Sequence, residues 1–138
     1  MPIRSEYHKD LGIWEIHFEG SNAVDSAIET LRTIYGAVDP TRPFLLLWQT
    51  GEGVGVMDSP DLEKLMSFVE DERPDVEGRT AIVAHDEATY GMGRVAQIYG
   101  ESVAPHMWVF RKRDEAINWL MELTEVSRRI RLGHRGAA

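Results

Sequence analysis

Residues 49–65, QTGEGVGVMDSPDLEKL, gather several residue types that can do chemistry. Gly51, Gly53 and Gly55 alternate with other residues ahead of Asp58, Ser59 and Pro60, and a helix pattern follows. A glycine-rich loop opening a helix can present backbone N–H groups to phosphate. Here the spacing matches neither the dinucleotide fingerprint nor the P-loop, and no Lys-Ser or Lys-Thr follows. Glu52, Asp58 and Asp61 would also repel an anion. A nucleotide loop is excluded, and the sequence implies no cofactor.

Ser59, His85 and Asp86 all follow the carboxyl ends of expected parallel strands, where open α/β sheets bind ligands. A nucleophile and a base can meet there. However, the G-x-S-x-G elbow is absent, and His85 and Asp86 are adjacent, so on a strand they point to opposite faces. The histidines, His8, His17, His85, His106 and His134, show no ligand spacing for a metal. The chain has no cysteine, which removes disulfides, thiolate sites and cysteine nucleophiles together. The expectation is a protein that is not an enzyme and holds no metal.

A second cluster, Tyr90-Gly91-Met92-Gly93-Arg94, places two glycines at or inside the start of a helix. One reading is a loop before a helix that begins near Met92. The other is close backbone approach to a ligand or partner, with Tyr90, Trp48 and Met57 lining an apolar small-molecule pocket.

The elements that position these residues follow from periodicity. Residues 12–19, GIWEIHFE, alternate: Trp14, Ile16 and Phe18 face one way, Glu15, His17 and Glu19 the other, as in a half-buried strand. Residues 3–8 pair with it through a turn at 9–12, making an N-terminal hairpin. Residues 23–38 have helical spacing, with Ser21 or Asn22 as cap. FLLLW at 44–48 is apolar on both faces, as in a buried parallel strand. A helix over 60–72, a strand at 80–85, a helix over 88–100, a strand at 107–110 and a helix from Asp114 complete the order. This alternation predicts a single α/β domain with a mainly parallel sheet and right-handed crossovers.

Charge limits the partners. The formal net charge is −8, yet Arg128, Arg129, Arg131 and Arg135 sit together in a basic tail at 128–138. The remainder, residues 1–127, carries 11 basic against 23 acidic residues, a net of −12, and would repel nucleic acid. No apolar run approaches the roughly 18 residues of a transmembrane segment. The first residues, MPIR, do not read as a secretory signal, so a cytoplasmic protein is expected.

The segment GRTAIVAHDEATYGMGRVAQIYGES…MWVFRKRDEAINWL resembles the C-terminal half of bacterial SpoIIAA-like proteins. These belong to the STAS superfamily of sulfate transporters and anti-sigma-factor antagonists. The matching positions are Arg79 through Val83, Val109-Phe110, and Glu115-Ala116 with Trp119-Leu120. The resemblance implies a SpoIIAA-like fold, with the sheet along one side and helices largely on the other. Since Phe44, Leu46 and Trp48 face one way and Leu45 and Leu47 the other, the second face then needs a cover. A homodimer, the hairpin or a bound apolar ligand would supply it.

The same resemblance implies a role for Ser59. Anti-sigma-factor antagonists carry a phosphorylatable serine in M-D-S-S-G, and Met57-Asp58-Ser59 matches its first three residues before Pro60-Asp61 departs. Without any function, Ser59 is explained as an N-cap with Pro60 as the first helical residue, and a cap does not exclude a switch. The expected function is a non-enzymatic, regulatory protein-interaction module switched at Ser59. The alternative is a carrier of an apolar small molecule or lipid, using Trp48, Met57, His85, Tyr90, Gly91, Met92 and Gly93.

Overall fold

The structure, a computed structural model, describes residues 3–18, 24–50, 58–99 and 107–137. Two strands, β1 (Ile3–His8) and β2 (Ile13–Phe18), form an antiparallel hairpin. Its turn closes with the N–H groups of Leu11 and Gly12 donating to the His8 carbonyl. Gly12 has φ of 69°, in the left-handed region where other residues are strained.

Three βα steps follow. Helix α1 (Val24–Gly36) leads to β3 (Phe44–Thr50), α2 (Ser59–Glu72) to β4 (Gly78–Val83), and α3 (Glu87–Tyr99) to β5 (Met107–Phe110). The five-stranded sheet has the order β1-β2-β3-β4-β5, parallel from β2 onward. Each crossover steps one strand in the same direction, so crossovers of one hand place all three helices on one face. Packing agrees: Ile16, Phe18 and Leu46 meet Ala27, Leu31 and Ile34 of α1 and Leu65 of α2. Leu62 and Met66 of α2 meet Met107 and Ile82. Gly93 of α3 lies against Val109 and Ile82.

The last helix, α4 (Arg113–Ala137), covers the opposite face. Its Ala116, Leu120 and Leu123 pack on Ile13, Leu45, Leu47, Ala81 and Val83. The two-faced apolar pattern of β3 is therefore answered within the chain by α4. Helices thus lie largely on one side of the sheet, three of the four, and α4 alone covers the other.

For the same reason β2 is not half-buried. Ile13 and Glu15, on the side expected to face water, are covered, and Glu15 is only 1% exposed. Helix α3 begins at Glu87, so Gly91 and Gly93 both lie within it rather than in a preceding loop. Among the described residues, no helix is long and apolar enough to cross a membrane.

Candidate functional site

The carboxyl ends of β1 and β3 and the first residue of α4 converge on Glu15 in the middle of β2. A buried carboxylate costs several kcal/mol unless paired and fully hydrogen-bonded. Glu15 meets that condition on both oxygens. Oε1 accepts from His8 Nε2 at 2.7 Å and Arg113 Nη2 at 2.9 Å. Oε2 accepts from Arg113 Nε at 2.9 Å and Gln49 Nε2 at 3.0 Å. That uses the roughly four lone-pair sites a carboxylate offers. His17 Nε2 stands further off, 3.6 Å from Oε1.

Strand geometry explains the convergence. Register pairs Glu6 with Glu15, Glu15 with Leu47, and His17 with Gln49. Glu6, His8, Glu15, His17 and Gln49 therefore share the α4 face of the sheet. Arg113 then joins residues 98 positions apart in sequence, anchoring the start of α4 over β2. Burial pushes the Glu15 carboxyl up, but the hydrogen bonds from Arg113, His8 and Gln49, with the Arg113 charge, hold it down at about 2. Gln49 relays the contact outward. Its amide donates to Glu15, so its Oε1 accepts from His85 Nε2 at 3.1 Å, which places the His85 proton on Nε2.

Glu6, His8 and Glu15 bring ligand-type atoms within 4.8 Å of one another. The donor set does not suit a metal ion, because the Glu15 oxygens are filled and the guanidinium of Arg113 would repel a cation. This cluster ties the fold together.

The residues singled out in the sequence fall in several places. Asp58, not Ser59, is the N-cap of α2: its Oδ1 accepts from the Asp61 N–H at 2.9 Å, and its carbonyl accepts from Leu62. Ser59 is the first helical residue and Pro60 the second, so the helix begins one residue earlier than expected. The reason is that Asp caps as well as Ser, and from position 58 its carboxylate reaches the third N–H of the helix. Met57 and the three glycines before it lie outside the described residues.

Trp48 stacks on Phe18 with centroids 4.7 Å apart and planes at 10°. Tyr90 lies beneath the Arg111 guanidinium at 4.0 Å, and Arg111 also pairs with Glu87. Met92 is half-buried. Gly91 has open space around it, whereas a Cβ on Gly93 would lie 2.8 Å from Val109 Cγ2, so Gly93 lets α3 approach β5. His85 joins Gln49, and Asp86 caps α3 by accepting from the Thr89 N–H at 2.7 Å. Trp48 and Tyr90 are thus committed to separate packing contacts, and His85 and Asp86 to different partners.

Sequence reasoning missed Glu15, His8, Gln49 and Arg113. The available signal was a lone acidic residue in a mainly apolar strand beside a run that proved to be covered on both faces.

The sequence matches no protein-family model, and a search of curated proteins finds no match. Among solved structures the chain is similar to an uncharacterised protein of the DUF3478 family with a SpoIIAA-like fold from Shewanella loihica PV-4. The TM-score is 0.55 at 18% identity, over 86% of this chain and 91% of that one. With the antiparallel hairpin, the parallel βα units and the strand order described above, this likeness shows that the chain has a SpoIIAA-like fold.

Proposed function

We propose that this chain is a non-enzymatic regulatory module that binds another protein through the region around the start of α2, with Ser59 as its modifiable residue. The observation that carries the reading is the mutual engagement of the polar groups around Glu15 and at the carboxyl ends of β3, β4 and β5. Glu15 is filled by Arg113, His8 and Gln49, His85 bonds Gln49, Asp86 caps α3, and Glu87 pairs with Arg111. A general acid or base works best when its pKa lies near the operating pH. Glu15, held at about 2, is suited instead to a structural tie.

What this end offers to solvent is acidic: Asp58 and Glu63 are exposed and Asp61 half-exposed on the first turns of α2. Such a surface selects a partner with basic groups, by steering and by rejecting acidic competitors. The resemblance of Met57-Asp58-Ser59 to the phosphorylated segment of anti-sigma-factor antagonists supports the choice of Ser59. A phosphate there would add about −1.5 to −2 of charge, favoured by the helix N-terminus and opposed by Asp58 and Asp61.

Crosslinking in the native host with Ser59→Ala and Ser59→Glu variants tests the proposal. The expected result is one basic partner captured by one variant and lost from the other. Equal capture by both, or none by either, refutes the switch.

A further inference from the structure

The opposite pole of the domain carries a second surface. Helix α4 has 25 residues, about 37 Å at 1.5 Å per residue, while a six-residue strand spans about 20 Å. Its last core contact is Leu123, and Ser127 still touches Glu77 just before β4. Arg128, Arg129 and Ile130, in three successive directions around the helix, are all exposed. Ten helical residues, about 15 Å, follow Ser127 and run on past the amino end of β4. Val126 and Ile130, 43% and 59% exposed, are four residues apart and share one face of it.

Beside the point of departure lies a cleft at the amino ends of β3 and β4, lined by the apolar side chains of Tyr35, Phe44, Val69, Pro74 and Val76. Arg73 and Arg79 also border it, and the Arg79 guanidinium is taken up by the Trp119 carbonyl, Glu122 and the Trp119 ring. The adjoining segment 70–77 holds Glu70, Asp71, Glu72, Asp75 and Glu77 against the single cation of Arg73. Residues 128–137 hold four arginines and no acid. Arg129 makes an exposed pair with Glu125 one turn earlier, of the kind that is worth little and exchanges readily.

We infer that these two features are the halves of one self-complementary interface: the overhanging end of α4 docks on the acid-rimmed apolar cleft of a second copy of this chain. A helix that continues unbroken past the amino end of β4 does not turn back onto its own cleft. A two-fold axis at this pole brings the partner's cleft to it and offers the reciprocal contact, so that each association is made twice. An anionic membrane is the poorer occupant, because it would meet the acidic run next to the arginines and a chain of net charge −8. This surface lies at the other end of the strands from Ser59 and stands independently of the proposed switch.

Sedimentation of the full chain over roughly a hundredfold range of concentration tests it, since mass action makes such an association concentration-dependent. The mass should rise from one chain to two in low salt and return toward one in about 0.5 M salt, where screening is nearly complete. Ile130→Glu should weaken association at least about tenfold, a loss of about 1.4 kcal/mol. An Arg128→Glu, Arg129→Glu double variant and a Glu70→Lys, Glu72→Lys double variant should each remain single chains and form a two-chain species when mixed. A single chain at every concentration, a dimer indifferent to these variants, or retention on anionic phosphatidylserine vesicles without self-association would overturn the inference.

Discussion

Replacing Glu15 by Gln keeps the shape of the side chain and removes its charge, which isolates what the charge contributes. The folded protein holds Glu15 at about 2, against an ordinary value of 4.5. At about 1.4 kcal/mol per pH unit, that separation is worth about 3 kcal/mol of stability when the group is fully ionised. Solvent screening takes little from it, because Glu15 is only 1% exposed. The sign follows from the direction of the shift. A carboxylate held below its ordinary value stabilises the fold above pH 4.5, and that contribution is lost as pH falls toward 2. Denaturant unfolding of both proteins between pH 7 and pH 2 reads the effect. Glu15→Gln should be less stable by about 3 kcal/mol at neutral pH, a large part of the roughly 5–15 kcal/mol typical of a domain. The gap should close through the acid window, where wild-type Glu15 becomes neutral as well. A gap below about 1 kcal/mol at pH 7, or one that does not change with pH, would refute the assignment of Glu15 as an ionised tie between β2 and α4.

Two glycines on one helix should respond in opposite senses. Gly91→Ala, with nothing near its Cβ, should stabilise by about 0.5–1 kcal/mol through helix propensity. Gly93→Ala, 2.8 Å from Val109 Cγ2, should lose about 1–3 kcal/mol, both read by thermal unfolding. Asp58→Ala should cost about 1 kcal/mol in chemical denaturation as the cap is lost, with Ser59→Ala close to neutral in the same assay. Gly78→Ala places a Cβ 2.5 Å from the Phe44 carbonyl oxygen, a backbone atom, and should cost more than about 2 kcal/mol or prevent soluble expression.

The strands and helices were legible because their patterns are strong. FLLLW at 44–48 could only be a strand buried on both faces, and Met107–Phe110 was bounded as it is found. The helical spacing of 23–38 and of the helix from Asp114 is borne out by the burial of Leu31 and Ile34 in α1 and of Leu120 and Leu123 in α4. What covers the second face of β3 was not legible, since periodicity marks an apolar face without naming what packs on it. Glu15 shows the same limit. Alternation assigned it to water, and only the arrival of Arg113 from 98 residues away makes its burial tolerable. At α2 the cap was misplaced by one residue because Asp58 and Ser59 are both good N-caps, and the choice depends on backbone geometry. At α3 one reading of the glycines started the helix near Met92, and tertiary contact with Val109 explains why Gly93 is kept within a helix that begins at Glu87.

The most direct test of the regulatory reading is the intact mass of the protein purified from its own host, recorded under native and then denaturing conditions. We expect a phosphate-sized increment that survives denaturation and maps to Ser59. An unmodified chain under both conditions would contradict the switch, and a non-covalent adduct released on denaturation would point instead to a carried apolar molecule.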